Sequence, residues 1–277
     1  MSVSVLILTF NEEQNLPQCI DSVRWADEIL IVDSGSTDNT IAIAESMGAK
    51  VLTRAFDNFA NQRNFGLEVG KPRNPWVLHL DADERVRPEL ATELQTIAKE
   101  NPKKAYRVAS RVYFCGSWLK RSGMYPSYQV RFGRSDHLFF KMVGHGQRET
   151  VPLSDVATLQ HDLDHFTFSK GLHAWLEKHN RYSSDEAEHH SGASKRLNWN
   201  SFWKGGLERR RFLKQLFFKL PFRPQIRFLY LYVYRMGFLD GRAGLQYAQL
   251  LTMYERMIDL KMAELAGNKE PTPPSPE

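Results

Sequence analysis

Trp76-Val77-Leu78-His79-Leu80-Asp81-Ala82-Asp83-Glu84 reads as a buried strand that runs directly into a cluster of carboxylates. A short, nearly continuous apolar run bounded by polar residues marks a strand covered on both faces. The same design occurs twice upstream. Val3 to Leu8 ends at Thr9-Phe10-Asn11-Glu12-Glu13, and Ile29 to Val32 ends at Asp33-Ser34-Gly35-Ser36-Thr37-Asp38. Helical patterns separate these runs. Leu16, Cys19, Ile20 and Val23 repeat at helical spacing after Asn15 and Pro17, and Thr40 to Met47 follows the cap residues Ser36 to Asn39 and stops at Gly48. Lys50 to Thr53 reads as a further strand, and Phe59 to Val69 and Pro88 to Ala98 as helices. Strands alternating with helices of this length predict an α/β domain with a mostly parallel sheet and right-handed crossovers. Ligands of such sheets bind at the carboxyl ends of the strands. Thr9 to Glu12, Asp33 to Asp38 and Asp81 to Asp83 are therefore expected to converge on one rim.

The chain has 277 residues, 42% of them hydrophobic and 25% charged, which excludes collagen-like, low-complexity and wholly disordered classes. Two cysteines, Cys19 and Cys115, give neither a disulfide scaffold nor a cysteine zinc site, and fit a reducing cytoplasm. Met1 to Leu8 lacks the features of a secretory leader, and the longest apolar run, Phe228 to Tyr234, lies between Arg227 and Arg235, too short to span a bilayer. Charge is unevenly spread. Between Trp203 and Arg235 nine Lys or Arg face Glu208 alone, a local +8, so a total of +5 leaves −3 for the rest. A mildly acidic body with a basic tail points to chemistry in the body and an anionic surface for the tail.

Further along, Ala105 to Val112 and Gln129 to Phe132 read as strands of a mixed sheet, separated by Phe114-Cys115-Gly116-Ser117-Trp118, either a pocket-shaping loop or a packed surface loop. His161-x₃-His165, if helical, pairs two imidazoles for a metal; otherwise His165 is a pocket or core residue. From Ser169 the pattern is helical, and Pro271 to Glu277 is a polar tail left without structure.

Asp81-x-Asp83 at a strand end supplies hard oxygen ligands suited to Mg²⁺ or Mn²⁺ whose shell a substrate diphosphate completes. Such an ion would neutralise charge on a departing nucleoside diphosphate. Asp33 offers a carboxylate to a base N–H or a ribose hydroxyl, while Asp38 suits a helix cap. Neither a GxGxxG fingerprint nor a GxxxxGK[ST] loop follows the first strand, so dinucleotide oxidoreductases and P-loop NTPases lack their phosphate-binding devices.

Taken together, Leu8-Thr9-Phe10-Asn11-Glu12, Ile31-Val32-Asp33-Ser34-Gly35-Ser36-Thr37-Asp38, Gln62-Arg63-Asn64-Phe65-Gly66 and Leu80-Asp81-Ala82-Asp83-Glu84 resemble the family 2 glycosyltransferases of GT-A fold. The motifs cover about residues 3 to 90, and the downstream half is similar to bacterial members that build lipopolysaccharide core or lipid-linked exopolysaccharide. The resemblance implies a Rossmann-like mixed, mostly parallel sheet flanked by helices, with a helical, membrane-associating C-terminal extension. It also implies a metal-dependent, inverting, hexosyltransferase-type reaction, moving a sugar from a nucleotide sugar, typically a UDP-sugar, to a saccharide hydroxyl. Carried over by residue, Thr9 and Glu12 line the nucleoside pocket, Asp33 contacts the base, Arg63 lies near it, Asp81 meets ribose, sugar or metal, and Asp83 holds the metal.

Inversion in one displacement needs a general base opposite the leaving group. Val143-Gly144-His145-Gly146-Gln147-Arg148-Glu149 resembles the histidine and glutamate segment of related enzymes, with Glu149 as first choice for the base and His145 as second. Lys178 to Tyr182 stands where processive members carry QxxRW. The Gln is missing, and Arg181 is either a contact for the diphosphate or acceptor or part of a solvated helix face. The expected organisation is a catalytic domain over 1–165, a helical basic-aromatic region over 166–265, and a disordered tail over 266–277. From Trp199 to Phe238 cations interleave with aromatics, the composition of an interfacial helix pair broken at Pro221 and Pro224. Such helices either meet anionic headgroups or pack on the catalytic domain. The expected partners are a nucleotide sugar, a saccharide or lipid-linked saccharide acceptor and an anionic membrane, without nucleic acid, at the inner face of the cytoplasmic membrane. Two competing readings are a sugar-phosphate nucleotidyltransferase, which lacks its Gly-rich basic loop here, and a non-catalytic membrane or nucleic-acid adaptor, which leaves the acidic strand ends unexplained.

Overall fold

The computed structural model describes residues 3–100, 103–143, 146–191, 203 and 206–267. The chain divides into two compact units, Met1–Ser169 and Lys170–Glu277. The first is built on β1 (Val3–Thr9), β2 (Glu28–Asp33), β3 (Lys50–Thr53) and β4 (Trp76–Asp81), connected by helices α1 (Leu16–Ser22), α2 (Thr40–Ser46) and α3 (Phe59–Glu68). After β5 (Glu84–Val86) and α4 (Pro88–Glu100) come β6 (Ala105–Phe114), β7 (Ser117–Trp118) and β8 (Ser127–Arg134). β9 (Phe140–Val143), β10 (Gly146–Glu149), β11 (Val156–Thr158) and β12 (Leu163–His165) follow. The main sheet runs β3-β2-β1-β4-β8-β6-β12-β5, with β7 and β11 on β6, and β9 and β10 form a separate hairpin. β1, β2, β3 and β4 are mutually parallel, whereas β8 runs antiparallel to both β4 and β6. The sheet is therefore mixed, as the sequence pattern anticipated.

Side-chain alternation along β1 sorts the helices into two layers. Val5 and Ile7 pack with Leu16 and Ile20 of α1, Ala44 of α2 and Leu90 and Leu94 of α4, while Leu6 and Leu8 pack with Leu67 of α3. Leu6 and Ile7 are both fully buried. Burying an aliphatic side chain of this size contributes about 1.5–3 kcal/mol, so each face of β1 fixes the register of the strand independently. α3 lies especially close. A Cβ at position 66 would come within 2.2 Å of Leu6 Cδ1, so this approach requires Gly66.

The second unit consists of α5 (Gly171–Ser191), α6 (Gly206–Lys219), α7 (Arg223–Phe228) and α8 (Gly241–Gly267), with a π-helical segment, Leu229–Tyr234, and a 3₁₀ turn, Gly237–Asp240, between α7 and α8. Lys261 Nζ joins α8 to α5 by donating to Asn180 O and Oδ1 and to the hydroxyls of Ser183 and Ser184 at 2.6–2.8 Å. Arg223, one of the nine cations of the basic stretch, points inward. It is 2% exposed, donates to Glu255 and Asp259 at 2.7 and 2.8 Å, and lies 4.1 Å from the Phe218 ring centroid. Two carboxylates on α8 account for that burial. Among the described residues no helix is long and apolar enough to cross a membrane. Residues 199–202 and 204–205 of the basic stretch, and the tail from 268, lie outside the described residues.

Candidate active site

The parallel registers place the acidic strand ends side by side: Thr9 pairs with Asp33, and Leu8 pairs with both Val32 and Asp81. β1 sits between β2 and β4 at the point where the strand order reverses, the position at which doubly wound sheets open a binding crevice. Asp33 is fully buried. One carboxylate oxygen accepts from the backbone N–H groups of Gly35 and Ser36 at 2.9 and 2.7 Å, and the other from the hydroxyls of Thr9 and Ser36 at 2.7 and 2.6 Å. In this conformation Asp33 orders the loop after β2 from within. That loop is tied to the one after β1: Ser36 Oγ accepts from Asn11 N at 2.8 Å, Asn11 Oδ1 from Thr37 N at 2.8 Å, and Thr40 Oγ1 from Glu12 N at 2.7 Å. Asp38, one residue before the N-cap Asn39, accepts from Thr40 N, the first N–H of α2. The Glu12 carboxylate accepts from Asn15 Nδ2.

The centre of the rim is a compact set of charges. Asp81 lies between two guanidinium groups, accepting from Arg63 at one oxygen and Arg131 at the other, each at 2.7 Å. Arg131 also donates to Glu84 at 2.9 Å, and the second Glu84 oxygen accepts from Asp81 N. Burial alone would raise the Asp81 carboxyl, but Arg131 and then Arg63 outweigh it and hold the group well below the usual carboxylate range. Burial also acts on the cations. It lowers Arg63 to about 10, helped by repulsion from Arg131, whereas Asp81 and Glu84 reverse the effect at Arg131 and raise it. Glu84 is raised by burial. Arg63, on α3, thus meets Asp81, and on its other side it faces Gln147 of β10. With its amide oxygen toward Arg63, Gln147 accepts from Nε at 2.8 Å and donates to Phe59 O at 3.2 Å.

Asp83 stands apart from this clamp. Its Oδ2 is 3.4 Å from His165 Nε2, and Phe166 N donates to its backbone carbonyl at 2.8 Å. His165 is on a strand, not a helix, and His161 bonds Glu93, so of the two alternatives for His161-x₃-His165 the helical imidazole pair does not form and His165 is a residue of the site. The short β12 strand, which pairs with β5, imposes extended geometry and directs His165 to Asp83. Burial would lower His165, but the Asp83 hydrogen bond and the surrounding carboxylates raise it to about 9.

Among the described residues no group of three or more metal-capable side chains occurs. Asp83 and His165 nevertheless fit a divalent ion: one carboxylate oxygen and one imidazole nitrogen, separated by 3.4 Å, approach the spacing of about 3 Å between adjacent corners of an octahedron with ~2.1 Å bonds. Both Asp81 oxygens already serve arginines. A proton shared between Asp83 and His165 is the charge that a cation would replace.

Glu149 ends β10 opposite Phe140, and Phe140 is anchored to α3 through its N and O, both bonded to the Asn64 side chain at 3.0 and 2.9 Å. Two residues from Gln147, Glu149 shares that residue's face of the strand. It makes no hydrogen bond or ion pair among the described residues. His145 lies outside the described residues, and Arg181 is exposed on α5 in the second unit. Sequence reasoning missed Arg131, Glu84 and the partnership of Asp83 with His165.

A rim of this kind, at the carboxyl ends of the strands of a mixed, mostly parallel sheet, lies where α/β proteins bind their ligands. Comparison with known proteins supplies the family. The glycosyl transferase family 2 model matches residues 4–147, and the chain belongs to that family. Its mixed, mostly parallel sheet with flanking helices is the GT-A type α/β architecture anticipated from the sequence. The lipopolysaccharide core biosynthesis glycosyltransferase LpsC of Rhizobium meliloti is 28% identical over 272 residues, covering 92% of this chain and 93% of LpsC. An uncharacterized glycosyltransferase of Rickettsia bellii is 42% identical over 96 residues, 34% of this chain and 32% of that protein, so the match spans about a third of that relative's length. Among solved structures, S. aureus TarS 1-349 in complex with UDP aligns over 98% of this chain and 93% of that one, with 12% identity and a TM-score of 0.47.

Proposed function

We propose that this protein is a metal-dependent, inverting glycosyltransferase that moves a sugar from a nucleotide sugar, a UDP-sugar in the first instance, to a hydroxyl of a lipid-linked or lipopolysaccharide-core saccharide. The observation carrying the reading is the Asp83–His165 pair beside the Arg-clamped Asp81, at the carboxyl ends of β1, β2 and β4. The loops locked by Asp33, Asn11 and Thr40 form the nucleoside pocket, with Thr9 and Glu12 in its walls. Asp81, held ionised and immobile, receives the ribose or the donor sugar by accepting hydroxyl hydrogens through its remaining lone pairs. A divalent ion held by Asp83 and His165 would neutralise the negative charge gathering on the departing diphosphate. Glu149 takes the proton from the acceptor hydroxyl as that oxygen bonds to the anomeric carbon from the face opposite the diphosphate, which leaves with the electron pair of the broken bond.

The test needs no acceptor. Binding of UDP-, GDP-, CMP- and dTDP-sugars is measured by calorimetry with Mn²⁺ or with chelator. One nucleotide class is expected to bind at least about tenfold tighter with metal, and Asp83→Ala to abolish that gain. A folded protein that binds none of the four classes overturns the reading.

The second unit supports membrane docking. Phe222, Leu229, Val233, Tyr234, Phe238 and Leu239 are all exposed within one short stretch, Phe222 and Tyr234 by 73% and 77%. Arg227 and Arg235 lie in the same stretch, and Arg242 follows on α8. Exposed apolar side chains with cations among them are what an anionic bilayer interface accepts. The full-length protein is expected to float with phosphatidylglycerol-containing vesicles and to do so at least about tenfold less with phosphatidylcholine alone. Protein that stays at the bottom of the gradient with both vesicle types removes the membrane assignment.

A further inference from the structure

Between Asn101 and Ser135 the chain carries eight Lys or Arg and no Asp or Glu. Folding gives half of these cations defined partners elsewhere. Arg131 enters the clamp, Lys103 reaches Ser154 O, Lys104 pairs with Asp155, and Arg134 pairs with Asp136. A second group gathers around aromatic rings. The Arg111 guanidinium lies 4.5 Å from the Trp118 ring centroid and Lys120 Nζ 5.5 Å from it, while the Tyr125 ring meets Trp118 edge-on at 5.1 Å. Asp162 braces the assembly from behind, accepting from Arg111 Nε and Tyr125 OH, each at 2.9 Å. Along the same strands Arg107 lies 4.9 Å from the centroid of the exposed Tyr128 ring.

This shelf is continuous with the acidic rim. Phe166, whose N–H bonds Asp83 O, stacks on Tyr113 at 4.8 Å, and Tyr113 pairs across β6 and β7 with Trp118.

We propose that the Trp118 shelf is the acceptor subsite, and that it takes a saccharide bearing a carboxylate or a phosphate. The proposal rests on the glycosyl-transfer reading above and names the acceptor class for it. The exposed Tyr128 ring can receive the C–H face of a pyranose, and the cations held over Trp118 are in place to receive an anion. An acidic acceptor is thereby held by its charge on the shelf, with its hydroxyls left for the rim.

Saturation-transfer NMR and calorimetry on the full chain compare a mannose-6-phosphate oligosaccharide, an oligogalacturonate and neutral maltotriose. At least one acidic probe is expected to bind about tenfold or more tighter than the neutral one, with the advantage shrinking as salt is raised. Whichever acidic probe binds tighter identifies phosphate or carboxylate as the preferred group. Lys120→Glu and Trp118→Ala are expected to erase the preference, while nucleotide-sugar binding stays within about twofold of the parent. Equal binding of acidic and neutral probes, or an undiminished preference in Lys120→Glu, overturns the proposal. Nucleotide-sugar binding measured on the same sample separates the two failures. Intact donor binding without acidic preference refutes the acceptor inference alone, whereas absent donor binding refutes the transfer reading.

Discussion

Replacing Arg131 with methionine is expected to destabilise the first unit by about 3–5 kcal/mol, the range for breaking a buried ion pair by removing one partner. Arg131 is 3% exposed, and a single terminal nitrogen serves both Asp81 and Glu84. Without it Asp81 keeps Arg63, but Glu84, itself fully buried, keeps only the backbone N–H of Asp81. Methionine fills much of the arginine stem's volume, so the loss reports charge rather than a cavity. Urea unfolding of the parent and variant measures it. A second variant, Arg131→Met with Glu84→Gln, is expected to recover part of the loss, because it removes the carboxylate left without a cation. A loss below about 1 kcal/mol in the single variant would show that the clamp contributes nothing beyond its replaceable packing.

The clamp also shows where the sequence stops being legible. β1 to β4 and their helices could be read because buried parallel strands are continuous apolar runs and because Pro17 and Gly48 punctuate the helices between them. Those signals are local. Arg131 lies on β8, fifty positions from Asp81, and reaches it only because β8 pairs antiparallel with β4, a pairing that local periodicity does not encode. His165 met the same difficulty. A spacing of four from His161 reads as one helix face, but three residues pairing with β5 and β6 form a strand, and the extended backbone sends the two imidazoles to Asp83 and Glu93. Arg223 is a third case. A cation in a basic stretch looks solvated until Glu255 and Asp259, more than thirty positions away, are brought beside it. Asp33 could be placed at a strand end from its neighbours, but its four hydrogen bonds could not be foreseen. They depend on the turn that Gly35 makes at φ +92°.

Changing Glu149 to glutamine is expected to reduce sugar transfer by about 10²–10⁴-fold, the usual contribution of a general base, while leaving nucleotide-sugar binding within about twofold. Glutamine preserves the shape of the side chain but cannot accept the acceptor's proton. The hairpin carrying residue 149 is tied to α3 twice: Asn64 holds Phe140, the cross-strand partner of Glu149, and Gln147, two residues earlier, meets Arg63 and Phe59. The carboxylate is thereby held on a rigid strand without being consumed by an ion pair among the described residues, the state a base needs before substrate arrives. Single-turnover transfer with a saturating donor separates chemistry from binding. A large fall in the chemical step with unchanged donor affinity places the proton transfer at Glu149. Near-normal turnover would remove Glu149 from the reaction and leave its free carboxylate as a feature of the hairpin surface.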